Sequence, residues 1–227
     1  ADDPERSFSY FVQGVIAFDR QEWPLAVERL TASLAISEQH DDDMTIARRL
    51  RNLGPALRAV GRYADAIACY ERAIALFQTV RDPVQQAVTG MNLGVLYLEI
   101  NELPNALAHF EQSEAVFRQA QDRLHLAMLY TNQGIVYRKL AAWRRAENVL
   151  EMAIDLWQRL GNRSSQINAL DELALTYLAQ GQGAPALGVL QQAFTLLQTL
   201  EADPIYERRR CKLVEHQEAA YRLLDCG

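Results

Sequence analysis

Small and large apolar residues recur along this 227-residue chain at a constant spacing of forty, with no gap needed to align them. Gly14, Gly54, Gly94, Gly134 and Ala174 mark the phase. Twelve residues after each comes an alanine: Ala26, Ala66, Ala106, Ala146 and Ala186. Four further on stands a large apolar residue (Leu30, Tyr70, Phe110, Leu150, Leu190), and three beyond that a small one (Ser33, Ala73, Ser113, Ala153, Ala193). A second large group follows as Phe77, Phe117, Trp157 and Leu197, with Ser37 in its place in the first unit. Steps of four and three trace one face of a helix. Small residues where two helices must approach, with large ones filling the space beside them, are what stacked helical hairpins require.

Helix starts are marked in the same phase. Asp42, Asp82, Asp122 and Asn162 are N-capping types, and Asp203-Pro204 repeats the signal one residue late. Proline in a first helical turn, where its missing N–H costs nothing, is expected at Pro83 and Pro204 in first helices and at Pro24, Pro104 and Pro185 in second ones. Gly61, Asn101 and Gly181 fall in the turns between paired helices, with Ala141 as the exception. The pattern therefore predicts eleven helices: five pairs and a final single one, about Pro204 to Leu224.

Leu53-Gly54, Leu57, Ala66, Tyr70 and Ala73 in one unit, and Leu93-Gly94, Tyr97, Ala106, Phe110 and Ser113 in the next, resemble the signature of the tetratricopeptide repeat family. The resemblance runs from about Glu5 to Leu224 and is to the forty-residue variety seen in kinesin light chains and bacterial signalling proteins. It implies an all-α, right-handed superhelical solenoid of five antiparallel helix pairs plus a C-terminal capping helix. The expected organisation is a single array over 1–227, with repeats at 5–41, 42–81, 82–121, 122–161 and 162–202 and a cap at 203–225. Two departures stand out. The family's tryptophan-type position holds Tyr10, Leu50, Gly90, Tyr130 and Leu170, and the proline that usually follows the second helix is missing.

Composition narrows the function classes. Twenty-three Lys and Arg against 29 Asp and Glu give a net charge of −6, which argues against a nucleic-acid footprint for the run Arg208 to Arg210. No apolar run approaches the roughly 18 residues of a membrane span, and no signal-peptide pattern opens the chain. Alanine at position 1 suggests a segment excised from a larger protein. Cys69, Cys211 and Cys226 form neither an even disulfide set nor a metal-ligand spacing, so a reducing, cytoplasmic setting is expected. Scattered His40, His109, His125 and His216, with no nucleophile motif or phosphate-binding glycine loop, point away from catalysis. No cofactor, metal, nucleic-acid or membrane partner is expected.

The surface that packing leaves over carries the functional expectation. On the first helix of the second unit, Arg48, Arg51, Asn52 and Arg58 lie opposite Ile46, Leu50, Leu53 and Leu57 at 100° per residue. In the family this opposite face lines the groove where partner peptides lie. The corresponding positions include Met91, Asn92, Val95, Leu98 and Glu99 in the third unit, and Asn132, Ile135 and Arg138 in the fourth. Asn52, Asn92 and Asn132 form one column, and an amide can bond a peptide backbone at both N–H and C=O. Between Asp43 and Asp65 there are five arginines and no acid, a pattern suited to acidic groups. Pro55 and Val95 stand where parts of the family's carboxylate clamp would be, so that clamp is not expected. Pro55 also predicts a kink that opens the carbonyl of Arg51.

Two readings of function follow. One is a scaffold that holds a protein or peptide segment through the asparagines, the arginines and apolar Met91, Val95, Leu98 and Ile135, with the arginines favouring an acidic segment. The other is a structural or sensor arm of a larger bacterial signalling ATPase, regulator or protease. The first helix is apolar almost all round, and in the second reading Phe8, Phe11, Val15 and Phe18 would pack on flanking domains or drive self-association.

Overall fold

The computed structural model describes residues 4–200 and 206–225. Among these there are eleven helices and no strand: α1 (Pro4–Asp19), α2 (Trp23–His40), α3 (Asp43–Ala59), α4 (Tyr63–Thr79), α5 (Pro83–Glu99), α6 (Leu103–Gln119), α7 (Arg123–Lys139), α8 (Trp143–Arg159), α9 (Arg163–Ala179), α10 (Gly183–Gln198) and α11 (Tyr206–Asp225). They form consecutive packed pairs, as the forty-residue pattern predicts. Asp203, Pro204 and Cys226, each given a part in the sequence reading, lie outside the described residues.

The helix starts are where the capping residues place them. The carboxylates of Asp42, Asp82 and Asp122 accept the backbone N–H groups of Thr45, Gln85 and His125 at 2.7, 3.0 and 3.1 Å, and Asn162 accepts that of Ser165 at 3.0 Å. Each satisfies a donor that the first helical turn leaves open. Second helices begin without a side-chain cap at Glu22, Arg62, Ala142 and Gln182. Their tight approach turns instead place one residue in the left-handed region: Gln21, Gly61, Asn101, Ala141 and Gly181 all have positive φ. Pro55 sits inside α3, which continues unbroken to Ala59.

Every recurring column of the sequence is buried, from Ala26 through Ala186 and from Leu30 through Leu190. The small residue that sets the phase faces the large residue sixteen positions later. A Cβ added at Gly54 would come within 2.3 Å of the Tyr70 ring, and one at Gly134 within 2.4 Å of Leu150. At these glycines the two helices thus meet backbone to side chain, with no room for a methyl group; in the fifth unit buried Ala174 holds the position. Where Ser37 replaces the large group, a polar contact fills the place. Ser7, fully buried on α1, shares a hydrogen bond with the Ser37 hydroxyl at 2.8 Å, and the Ser33 hydroxyl donates to the Ser7 carbonyl at 2.8 Å.

By packing, the chain divides into two compact units, Ala1–Val116 and Phe117–Gly227. In the first, a continuous core includes Leu30, Leu50, Leu53, Leu57, Tyr70, Phe77, Leu93 and Leu96. In the second, Ile167, Leu170, Leu190, Leu197 and Leu213 pack together, which seats α11 as the last layer.

Candidate functional site

In the first unit, α1, α3 and α5 enclose a recess of about 490 Å³. Its wall on α3 consists of Thr45, Arg48, Arg49, Arg51 and Asn52; α1 contributes Phe8 and Phe11, and α5 contributes Gln85. Helical spacing explains the α3 wall: 45, 48, 49 and 52 fall on one face, and 51 flanks it. Residues that the sequence reading assigned to two separate surfaces, a groove and an aromatic first helix, thus share one site.

The charges in this recess are held in place. The Arg49 guanidinium lies 4.0 Å from the centre of the Phe11 ring, a cation–π contact, and its Nε is buried with no hydrogen-bond partner among the described residues. Arg51 donates to the Gln85 side chain. Burial lowers the pKa of both Arg49 and Arg51, but guanidinium groups start so high that both stay charged near neutrality. Arg48 is exposed at the mouth. Partly desolvated guanidiniums beside aromatic rings suit a carboxylate neighboured by an apolar side chain, because a planar fork binds both oxygens of the carboxylate.

The other expected contacts divide. Asn52 donates its amide to the Arg48 carbonyl at 2.7 Å, and Asn132 donates to the Met128 carbonyl at 3.0 Å, so each has one of its two amide N–H groups engaged within its own helix. Asn92 and Val95 are half-buried. Met91 and Leu98 are only 2% and 8% exposed and serve the core, which leaves a partner almost nothing to touch. The α5 helix is covered on more of its circumference than a single apolar face implies. Arg58 and Glu99, both expected to contact a partner, pair with each other at 3.5 Å. In the second unit Arg138 pairs with Glu172 at 2.8 Å, and Ile135 lines a different recess between α7, α9 and α11.

On α1 the expected interface set of Phe8, Phe11, Val15 and Phe18 does not share one outward face. Phe11, Val15 and Phe18 pack against the core, and the rings of Phe18 and Trp23 pack edge to face with their centres 5.0 Å apart. The outward stripe is Phe8, Val12 and Ile16, which are 60%, 38% and 45% exposed and spaced by four. That spacing was visible in the sequence, but an all-round apolar helix does not say which stripe faces inward. Gln85 and the α11 cations Arg208, Arg209 and Lys212 were not among the expected contacts, because which helix faces them is a tertiary fact.

Among the described residues, no group of three or more His, Cys, Asp or Glu side chains is placed to hold a metal, and no helix is long and apolar enough to cross a membrane.

Comparison with known proteins agrees with this architecture. The crystal structure of BtubC (BKLC) from P. vanneervenii superposes with a TM-score of 0.74 at 16% identity, covering 84% of this chain and 79% of that one. The nearly identical TPR-like repeats named for a Podosopora anserina kinesin light chain give 0.72 at 19% identity, covering 88% and 99%. A Rap protein complexed with Competence and Sporulation Factor gives 0.78 at 15% identity, covering 97% of this chain and 64% of that one. At such identities the likeness is one of fold. A comparison with curated proteins found no match. The tetratricopeptide repeat profile matches residues 7–79, 46–119, 85–159 and 124–199, overlapping stretches that together cover most of the length. The chain belongs to the tetratricopeptide repeat family.

Proposed function

We propose that this chain is a protein-binding repeat scaffold whose first-unit recess holds a segment of a partner chain carrying a carboxylate beside an apolar side chain. The observation that carries the reading is the convergence of Arg48, Arg49 and Arg51 with Phe8 and Phe11 in one recess. Arg48 and Arg51 take the carboxylate. Phe8, more than half exposed, covers the apolar neighbour. With one amide N–H engaged, Asn52 retains its Oδ1 to accept a backbone N–H from the segment. The Rap protein complexed with Competence and Sporulation Factor is a relative in fold that holds a named factor, which makes ligand holding a reasonable expectation for the present chain.

The test is selection from a displayed random-peptide library, followed by fluorescence anisotropy with the selected peptides. They should carry Asp or Glu next to an aromatic or aliphatic residue. Arg48→Glu/Arg51→Glu should weaken them by more than about tenfold, roughly 1.4 kcal/mol, while Arg144→Glu on α8 leaves them unchanged. Peptides without acidic residues, or full binding by the charge-reversed protein, would refute the recess as the site.

A second reading has its own observation: the outward stripe Phe8, Val12 and Ile16 on α1. In this reading α1 packs on a flanking domain or a second copy, and the repeats act as the arm of a larger signalling protein. Ile16→Asp separates the two, since Ile16 does not line the recess. Loss of self-association in sedimentation with peptide binding intact favours the arm.

A further inference from the structure

The second unit contains a recess of about 360 Å³ between α7, α9 and α11. Arg208, Arg209 and Lys212 enter it from α11, at positions that share one helical face. Facing them on α9 are Asp171 and Glu172, but both acids are already engaged. The Asp171 carboxylate meets His216 Nδ1 at 2.5 Å, and Glu172 accepts from Arg138 at 2.8 Å. Arg208, Arg209 and Lys212 have no ion-pair partner among the described residues, and the Nη1 of Arg209 is buried with no acceptor. A buried guanidinium N–H without an acceptor costs free energy that a bound anion recovers. These surplus cations are gathered in a chain whose net charge is −6, so their concentration here is local.

The geometry points to a phosphomonoester site. A single carboxylate satisfies one guanidinium fork and leaves two cations over. A phosphoryl group near neutral pH carries close to two negative charges and three acceptor oxygens, enough for Arg208, Arg209 and Lys212 together. Asn168 adds an amide at the edge, and Ile135, Ile167 and Leu213 give the recess an apolar lining for the carbon side of the ester. The volume is at the small end of ligand pockets. It suits a phosphorylated side chain or a small phosphate ester. The site is independent of the first-unit recess, and neither requires the other.

The test is calorimetric titration of the whole chain near neutral pH with three probes: phosphoserine blocked at both ends, inorganic phosphate, and aspartate blocked in the same way. At least one phosphate probe should bind. Lys212→Glu and Arg208→Gln should each weaken it by about tenfold or more, while Arg144→Glu on α8 leaves it unchanged. Both substituted positions are exposed, so the fold is retained, which helical circular dichroism verifies. Blocked phosphoserine binding more tightly assigns the site to a phosphorylated side chain; inorganic phosphate binding more tightly assigns it to a free phosphate compound. The site is refuted if neither phosphate probe binds, if blocked aspartate binds as tightly in a manner that Lys212→Glu abolishes, or if phosphate binding survives Lys212→Glu.

Discussion

Gly94 and Gly188 both lie inside helices, yet replacing each with alanine should have opposite effects. In an open helix the change gains about 0.5–1 kcal/mol, because glycine loses more backbone freedom on folding. Nothing lies within 4 Å of a Cβ at Gly188, so Gly188→Ala should stabilise by about that amount. At Gly94 the new atom would sit 2.6 Å from the Phe110 ring, which is fully buried and has nowhere to turn. Overpacking should win, and Gly94→Ala should destabilise by about 1–3 kcal/mol. Urea denaturation of the two variants measures both signs; equal shifts would contradict the close approach of α5 and α6. Ala141 is the complementary case. Its φ of 53° is the left-handed region that Gly61 and Gly181 occupy at the equivalent turns. Ala141→Gly should therefore raise stability by about 1 kcal/mol by removing the Cβ penalty.

At the scale of elements, the last helix is held by a titratable contact. α11 buries Leu213 and Ala220, and His216 reaches Asp171 on α9. The hydrogen bond to Asp171 raises the His216 pKa above the ordinary histidine value, against the opposing effect of burial, with Glu172 and Glu215 adding to the rise. A histidine raised on folding stabilises fully below its unfolded value of about 6.5, and the benefit is lost as the pH climbs through the folded value. The difference in denaturation midpoint between wild type and His216→Gln should thus be largest in mild acid and shrink at alkaline pH. The comparison with the variant is needed because burial lowers His109, whose linkage has the opposite sign. A difference that does not change with pH would mean that the pair does not hold α11. The first helix shows the converse problem of orientation. Its aromatic richness was legible, but Phe11 and Phe18 turn inward while Phe8 and Ile16 turn outward.

For the whole molecule, the two compact units and the pairing of neighbouring helices make stability a local quantity. Gly134→Ala, which would press on Leu150, should lower hydrogen-exchange protection across α7 and α8 more than across α1 and α2. Uniform loss along the chain would instead indicate one cooperative block. The same locality explains how much could be read without coordinates. Periodic packing repeats the same contact every forty residues, so phase, helix count, capping at Asp42, Asp82, Asp122 and Asn162, and the burial of every column were all present in the order of residues. The recesses were not, because each is lined by alternate helices about forty residues apart, brought together by how the pairs stack. A helical projection shows that Arg48 and Asn52 share a face. Only packing shows that Phe8 and Gln85 border it, that Arg58 pairs with Glu99, and that Met91 is core. Local periodicity sets which side of a helix is apolar; what stands opposite the remaining side depends on contacts between helices, and those are settled in three dimensions.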